Sequence, residues 1–555
     1  MQTDSIMKKV YILTALLALL SGAASAQKGK LKAVVNIENE YNPNVTPVNK
    51  KSFTPSIDSS QETTQHEIIF SERPTPFESF VSNRDTKTIA PKQDWCYNGY
   101  ARLGYSTANG IDAAAAYRFK LTDRDNIKAF AALNGFKGDL DGKYYDWNSR
   151  MYNSLVDLGY THMFSKLKLD VAGDFSNRVF NYQSATNNNT ATDKQNSSNF
   201  GFGVKGTSVL SGSFSYKFHA GYTLSSRKYS TDSKTGIAEN CLNAGGEAAF
   251  QLGIEELSNL GLAVNVDMFM YNKALKSPLN GYTDYVSADI DPYLNFNFNG
   301  WGLRVGTKMN FITANGPAFA IAPDVKVGKE FSERVHFYAL LTGGRTNNTM
   351  RLVESISPYW GFDKNAARQL EPTYRIVDAN IGTSVTFEPV FLEFAAGYAY
   401  TKNDLLQCEE ISANSNMYIN LAQANTNNAY IFARAGYDLG GWLDISANAR
   451  YDYWGCDNKN LLMMKPEISC SLNAEARVLK TLTFRLDYNF AQFTKGEENK
   501  RHKAKNELNL RASYQILPWL GAFAEGKNLL GSKYCEYEGY VTRGARAMLG
   551  VTANF

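Results

Sequence analysis

The chain lacks any long hydrophobic run beyond its first 26 residues. Of its 555 residues, 44% are apolar, yet no apolar stretch after Ala26 approaches the roughly 18 residues that a membrane-spanning helix needs. Helical membrane spans are therefore excluded. The formal net charge is only +4, which argues against nucleic acid as a partner and against a polybasic membrane-surface role.

Residue types that carry catalytic or metal chemistry are also scarce. The five His include His162 and His219, which lie on predicted strands without a Ser or Asp constellation. The G-x-G-x-x-G match at 201–206 lies in a strand-like run without a βαβ unit, so we interpret it as chance. His66-Glu67 lacks the second His of a zinc-protease helix, and no G-x-S-x-G elbow occurs. We expect no enzyme activity, no metal and no cofactor.

The cysteines form no C-x-x-C pair and no dense framework. In an exported protein disulfides are possible, and a bridge between Cys408 and Cys456 is the alternative to six isolated residues. Isolation is the prediction for the whole set, which comprises Cys96, Cys241, Cys408, Cys456, Cys470 and Cys535.

What the chain does have begins with an export signal. Lys8 and Lys9 precede the apolar run 10–20, and Ala24-Ser25-Ala26 fits a small-residue cleavage site. Residues 1–26 are therefore a predicted signal peptide. The following segment, 27–94, is rich in Pro, Asn, Thr and Ser and reads as irregular. Its six prolines, of 15 in the chain, are Pro43, Pro47, Pro55, Pro74, Pro76 and Pro91.

From residue 95 to 555 the apolar pattern has a period of two. In 481–493, for example, Leu482, Phe484 and Leu486 alternate with polar residues. Strict alternation over ten or more residues indicates a strand, and about ten residues let a tilted strand cross a bilayer. The strands of a soluble β-sandwich, the alternative, are usually shorter. The sequence predicts an all-β fold, a transmembrane antiparallel up-and-down β-barrel of about 22 strands (range 18–24).

The connections agree with this architecture, because tight turns such as 299–300 and 440–441 alternate with long polar segments. Short periplasmic turns and longer outer loops are typical of such barrels. If residue 95 starts at the periplasm, every long segment lies outside. The long segments are 138–150, 184–196, 344–372, 403–426 and 531–542, of which 403–426 is a predicted loop with room for another short strand.

Lipid offers the backbone no hydrogen-bond partner, so the strands must pair on both sides and the sheet must close. Apolar alternate residues then face lipid and polar ones face the lumen. Aromatics near strand ends suggest interfacial girdles: Trp95, Tyr97, Tyr144, Tyr145, Trp147, Tyr453, Trp454 and Trp519. The charged candidates for the lumen are Arg450, Arg477, Arg485, Arg511, Arg546, Glu475 and Asp487, beside Glu467 and Glu507.

The last strand ends at Phe555, and a terminal strand ending in Phe resembles the insertion signal read by the barrel-assembly machinery. The preceding residues resemble the closing hairpin of TonB-dependent outer-membrane receptors. The matching pieces are Asn528-Leu529-Leu530, Lys533-Tyr534, Gly539-Tyr540 and Arg543-Gly544. The resemblance implies a 22-stranded barrel that imports bulky nutrients, coupled to an inner-membrane motor.

The sequence departs from that family in its N-terminal part, where the family has a plug domain inside the barrel. The 68 residues of 27–94 are too few for such a plug. Glu67-Ile68-Ile69 is only a weak candidate for the short box that contacts the motor in that family. We expect 27–94 either to fill part of the lumen or to bind a periplasmic partner or a surface lipoprotein. The functional alternatives are a receptor-type transporter, a passive porin-like channel and an accessory barrel subunit. Each implies outer-membrane lipid around the barrel and a Gram-negative outer-membrane location.

Overall fold

A computed structural model of the chain describes residues 98–107, 109–186, 194–208, 213–228, 236–252, 257–276, 281–361, 369–411 and 415–555. The signal peptide of 1–26, the segment 27–94 and the predicted barrel start at 95 lie outside these residues. The domain boundaries therefore stay predictions.

The described residues form 25 strands, β1 to β25, of which three are short: β6 (Gln183–Ser184), β23 (Cys535–Tyr537) and β24 (Tyr540–Val541). The other 22 make one closed antiparallel sheet, because β25 pairs with both β22 and β1. The predicted fold class is confirmed. The long strands are β1 Gly99–Ser106, β2 Gly110–Lys120, β3 Asp125–Leu140, β4 Trp147–Met163, β5 Leu167–Phe180, β7 Gln195–Ser208, β8 Phe214–Arg227, β9 Ile237–Phe250, β10 Leu257–Tyr271, β11 Tyr285–Phe298, β12 Trp301–Ile312, β13 Phe319–Ser332, β14 Val335–Thr346, β15 Thr373–Phe387, β16 Val390–Ile411, β17 Asn416–Leu439, β18 Leu443–Gly455, β19 Pro466–Leu479, β20 Leu482–Phe493, β21 Lys505–Leu517, β22 Leu520–Lys527 and β25 Arg546–Asn554.

Helix is rare in the described residues. The α-helix α1 spans Met350–Ile356, and two 3₁₀ turns span Lys459–Leu462 and Glu497–Asn499. No helix in these ranges is long and apolar enough to cross a membrane.

Closure of the sheet brings the two ends of the described barrel together. The backbone of Gly99 and that of Phe555 exchange hydrogen bonds of 2.6 and 3.0 Å. The Phe555 ring stacks on Tyr117 with its centroid 5.9 Å away, and it covers Gly99, where a Cβ would meet the ring at 2.4 Å. Phe555 thus seals the first and last strands at the turn end of the barrel. Its reading by the assembly machinery stays a prediction.

The outer surface of the barrel is apolar. Leu103, Leu262, Ile381 and Leu549 are between 46% and 69% exposed, whereas their sequence neighbours on the same strands point inward. An exposed apolar surface of this extent suits hydrocarbon rather than water. Trp519, Trp442 and Tyr453 lie exposed near strand ends, where interfacial aromatics are expected.

One predicted loop is wrong. The segment 403–426 is mostly strand, because β16 runs to Ile411 and β17 begins at Asn416. The two strands continue as a paired hairpin beyond their neighbours, since β15 pairs only as far as Lys402 and β18 only as far as Asn427. The segment 138–150 is likewise shorter as a loop than predicted, because β3 ends at Leu140 and β4 begins at Trp147.

A matched pair of substitutions on β10 tests which face of the barrel wall meets lipid and which meets the lumen. Leu262→Arg places a charge on the exposed face and is expected to cost about 2–4 kcal/mol if the site lies near the bilayer centre. Ala263→Arg should cost far less, because Ala263 faces the lumen between its register partners Glu247 and Asp291. Urea unfolding in lipid vesicles measures both. Equal destabilisation would contradict the assignment of the two faces.

Candidate functional site: the extracellular mouth

Three of the arginines predicted to face the lumen form ion pairs with carboxylates two positions away on the same strand; the lumen-facing placement itself stays a prediction. Arg450 lies 2.7 Å from Asp452, Arg477 3.1 Å from Glu475, and Arg485 3.4 Å from Asp487. The wall they form is mixed in sign. Arg511 lies over the Phe523 ring at 4.2 Å, and Arg546 pairs in register with Lys527. A role for these charges in transport stays a prediction.

Sequence reasoning missed the structure that closes the mouth. We call residues 403–411 and 415–425 the hairpin extension, because they prolong β16 and β17 past the rim. Three of its apolar side chains are fully buried: Met417 and Ile419 are 0% exposed and Leu406 is 1% exposed. A hairpin that projected freely into solvent would expose these residues, so the extension lies across the mouth and packs on other loops.

The second component is the inward segment, residues 347–361, which contains α1. Its last residues form a parallel bridge with the hairpin extension at Trp360 and Ile419. The Ile419 N–H donates to the Tyr359 carbonyl, and the Gly361 N–H donates to the Ile419 carbonyl, both at 3.0 Å. The inward segment is therefore held to the hairpin extension by backbone hydrogen bonds.

The start of the inward segment is fixed to the barrel wall. The Thr349 side chain caps α1 by accepting from the Leu352 N–H at 3.1 Å. Glu239 on β9 accepts from the Met350 N–H at 3.0 Å. The Asn347 amide donates to Ser287 on β11 at 3.1 Å. The inward segment thus contacts the wall at its start and the hairpin extension at its end.

A buried ion pair lies at the centre of the mouth. Glu354 of α1 is 6% exposed, and its carboxylate lies 3.1 Å from the Arg227 guanidinium and 3.6 Å from that of Arg178. Arg227, itself 1% exposed, also donates to the carbonyls of Pro358, at 2.9 Å, and Trp360. Two strands of the wall, β5 and β8, are joined through these groups to the inward segment.

The inward segment also reaches down the wall. Arg351 donates to Asp174 at 2.8 Å, and Asp174 lies near the middle of β5 (167–180), six residues before the strand ends. Its guanidinium also comes within 3.3 Å of the place where a side chain on Gly201 would stand. The segment therefore enters the lumen rather than resting only on the rim.

Aromatic rings fill the space between these elements. Tyr359 stacks on Tyr540 with centroids 3.7 Å apart and planes 7° apart, so the two rings lie nearly face to face. Trp147 meets both rings edge-on and is 8% exposed. Its prediction as an interfacial girdle residue is therefore wrong, because it belongs to the core of the mouth. Phe180 packs edge-on against Tyr359.

The hairpin residues that carried the family resemblance build the last outer loop. Asn528 is 2% exposed, and its amide donates to the carbonyls of Ser532 and Arg543. Tyr540 donates to the Met417 carbonyl at 2.5 Å. Gly539 has φ +77°, a left-handed conformation that favours glycine. The motif thus shapes a loop that packs on the hairpin extension.

The hairpin extension, the inward segment, the last outer loop (528–545) and loop 181–186 together form what we call the roof. Loop 181–186 joins it through β6, which pairs with β17 at Asn416 and Met417. At its edge, Lys143 and Tyr144 both bind Glu409, at 2.5 Å each. The roof occupies the extracellular end of the described barrel.

His502 connects the roof to a neighbouring outer loop, 494–504. Its Nε2 lies 2.8 Å from the Glu538 carboxylate. Hydrogen bonds with Cys535 and with Glu538 raise the pKa of His502 to about 10, so the imidazolium persists at neutral pH. This ion pair ties loop 494–504 to the last outer loop.

The two histidines, the glycine motif and the described cysteines, for which no catalytic role was predicted, are all part of the barrel structure. His162 binds Asp125 at 2.6 Å and His219 binds Asn265 at 2.9 Å. Residues 201–206 lie within β7. All five described cysteines are free, so the alternative bridge between Cys408 and Cys456 does not form; Cys96 lies outside the described residues.

Comparison with known proteins shows a shared fold at low sequence identity. No protein-family model and no curated protein matches the chain. The ferric enterobactin receptor PfeA of Pseudomonas aeruginosa matches with a TM-score of 0.61 and 13% identity, over 83% of this chain and 82% of that one. The iron transporter FrpB of Neisseria meningitidis matches with a TM-score of 0.63 and 11% identity, over the same shares.

The ferric-catecholate import receptor Fiu of Escherichia coli K12 matches with a TM-score of 0.58 and 8% identity, over 83% of this chain and 82% of that one. The chain therefore has the barrel fold of these receptors. Barrels of this kind lie in the outer membrane of Gram-negative bacteria, and the exposed apolar wall gives this chain the surface that such a membrane requires.

The His502–Glu538 pair predicts a pH dependence of the last outer loop. A raised pKa contributes stability that is complete below the unfolded value near 6.5 and is lost as pH rises through about 10. Corrected for its intrinsic rate, amide hydrogen exchange of 535–541 should accelerate between about pH 9 and 11. The variant His502→Gln should lose this transition. A wild-type loop with the same pH profile as the variant would contradict the assignment.

Proposed function

We propose that this chain is an outer-membrane receptor barrel that takes up a bulky solute through its roofed mouth. The main support is the inward segment, which lies across the extracellular end and contacts both the wall and the hairpin extension. The structural neighbours are described as a ferric enterobactin receptor, an iron transporter and a ferric-catecholate import receptor, which supports uptake as the activity and a bulky chelate as the solute class.

The width of the barrel favours a gated entrance. With strands about 4.8 Å apart and tilted by about 40°, 22 strands enclose a cylinder about 40 Å across. An open hole of that size would admit almost any small solute. Barrels of 22 strands hold a plugged lumen, and in this chain the roof contributes part of the obstruction. A passive porin needs no such packed entrance.

The inner wall suits a hydrated solute rather than a hydrophobic one. Its ion pairs also join neighbouring strands, as in Arg304 with Asp324 at 2.7 Å and Arg434 with Glu393 at 3.6 Å. Paired charges bind water and polar groups without holding either sign of ion strongly. We propose the segment 27–94 as the periplasmic counterpart of the roof, either within the lumen or on a periplasmic partner.

Conductance tests the gate without knowledge of the solute. In a planar bilayer the full chain should show little conductance, and replacing 348–360 by a short Gly-Ser linker should raise it several-fold. Replacing 313–318 by a linker of equal length is the control, since that loop meets the mouth at its edge, through the Asn315 donation to the Leu370 carbonyl and the packing of Ala314 against the apolar core. A full chain that already conducts as strongly as the linker variant would contradict gating and favour a passive pore.

Uptake tests the receptor assignment. Ferric enterobactin is the first probe, because it is the ligand of a structural neighbour. Cells that express the chain should accumulate labelled iron faster than cells without it, and removal of the inner-membrane motor should abolish the difference. Accumulation that persists without the motor would contradict energised uptake.

A further inference from the structure

The Arg227–Arg178 pair has the composition of an anion-binding site. Both guanidinium groups lie on the inner face of the wall near the strand ends, and Phe180 faces Arg227 at 5.1 Å. Tyr182 accepts from Arg227 at 3.2 Å. Two guanidinium groups beside aromatic rings supply the positive charge and the N–H donors that attract an oxyanion such as a carboxylate.

The inward segment supplies such an oxyanion itself. Within the described residues, Glu354 is the carboxylate that pairs with both Arg227 and Arg178. The nearby acids Asp174 and Glu239 bind donors of the segment instead, the Arg351 guanidinium and the Met350 N–H. We propose that this is the recognition site for an anionic solute, and that Glu354 occupies it as an internal substitute for the solute's oxyanion.

The energetics of buried charge support an exchange rather than a simple opening. Withdrawal of Glu354 alone leaves Arg227 unpaired in a dry site, which typically costs several kcal/mol. A solute oxyanion that takes the place of Glu354 removes that cost. Because a ligand shifts a conformational equilibrium only by its preference for one state, a solute that binds the arginines stabilises the withdrawn segment.

This inference rests on the proposed gate and adds the charge of the solute. Neutral solutes provide no compensation for Arg227 and leave the roof closed. Anionic solutes bearing a planar oxyanion compete with Glu354. The contact of Glu354 with the two arginines therefore excludes neutral solutes and admits anionic ones.

The test uses the full chain in nanodiscs, with citrate as the probe and glycerol as the neutral comparison. Hydrogen exchange of 350–360 reports withdrawal of the segment. Glu354→Gln removes the internal charge while keeping the side-chain shape, so citrate should accelerate exchange at a concentration at least about tenfold lower than in the wild type, a shift of about 1.4 kcal/mol. Glycerol should have no effect on either protein.

Three further variants separate binding at the site from a general loosening of the inward segment. In Glu354→Gln combined with Arg227→Gln, or with Arg178→Gln, citrate should lose its effect, and heat-modified gel mobility confirms that each barrel is folded. Ser355→Ala, next to Glu354 but exposed, should respond as the wild type does.

Citrate that acts equally on the double variants would overturn the proposal. So would a Glu354→Gln protein that ignores citrate at about 10 mM, where even a millimolar site is largely occupied. Either failure leaves the conductance result, and with it the gate, intact. A failed conductance experiment with a positive citrate response would instead retain the anion site and remove its gating role.

Discussion

The constraint on which the whole structure depends is that a strand in lipid must find every backbone partner within the sheet. The closure of β1 onto β25 satisfies this requirement, and Phe555 and Gly99 complete it. Once the sheet is closed, alternation assigns each residue to lipid or lumen. The apolar outer wall and the ion-paired inner wall are both consequences of that single pairing requirement.

The mouth follows a different rule, because its loops lie in water and pack as a small protein core does. Aromatic rings around Tyr359 and Tyr540 exclude water, and the buried charge of Arg227 is balanced by Glu354 and two backbone carbonyls. A buried ion pair contributes little net stability but is costly to break singly. It therefore suits a contact that must hold until a specific partner replaces it.

Most of the barrel was predictable from the sequence, since alternation is a local signal and strands such as β20 and β21 carry it over ten or more residues. The hairpin extension was missed because polar residues such as Asn416, Asn420 and Gln423 resemble a loop, although Asn420 and Gln423 pair in register with β16 and Asn416 pairs with β6. The roof was not predictable, because its contacts join distant residues; Arg227 and the Trp360 carbonyl are 133 positions apart. No local pattern marks Glu354 as the partner of Arg227.

The central claim is that the inward segment is held in the mouth by backbone hydrogen bonds to the hairpin extension. Amide exchange of Ile419 and Gly361 in lipid-embedded protein measures this directly, since both N–H groups donate across the contact. The account predicts exchange as slow as that of the barrel strands at neutral pH. Exchange of both amides at the rate of an unstructured loop would contradict it.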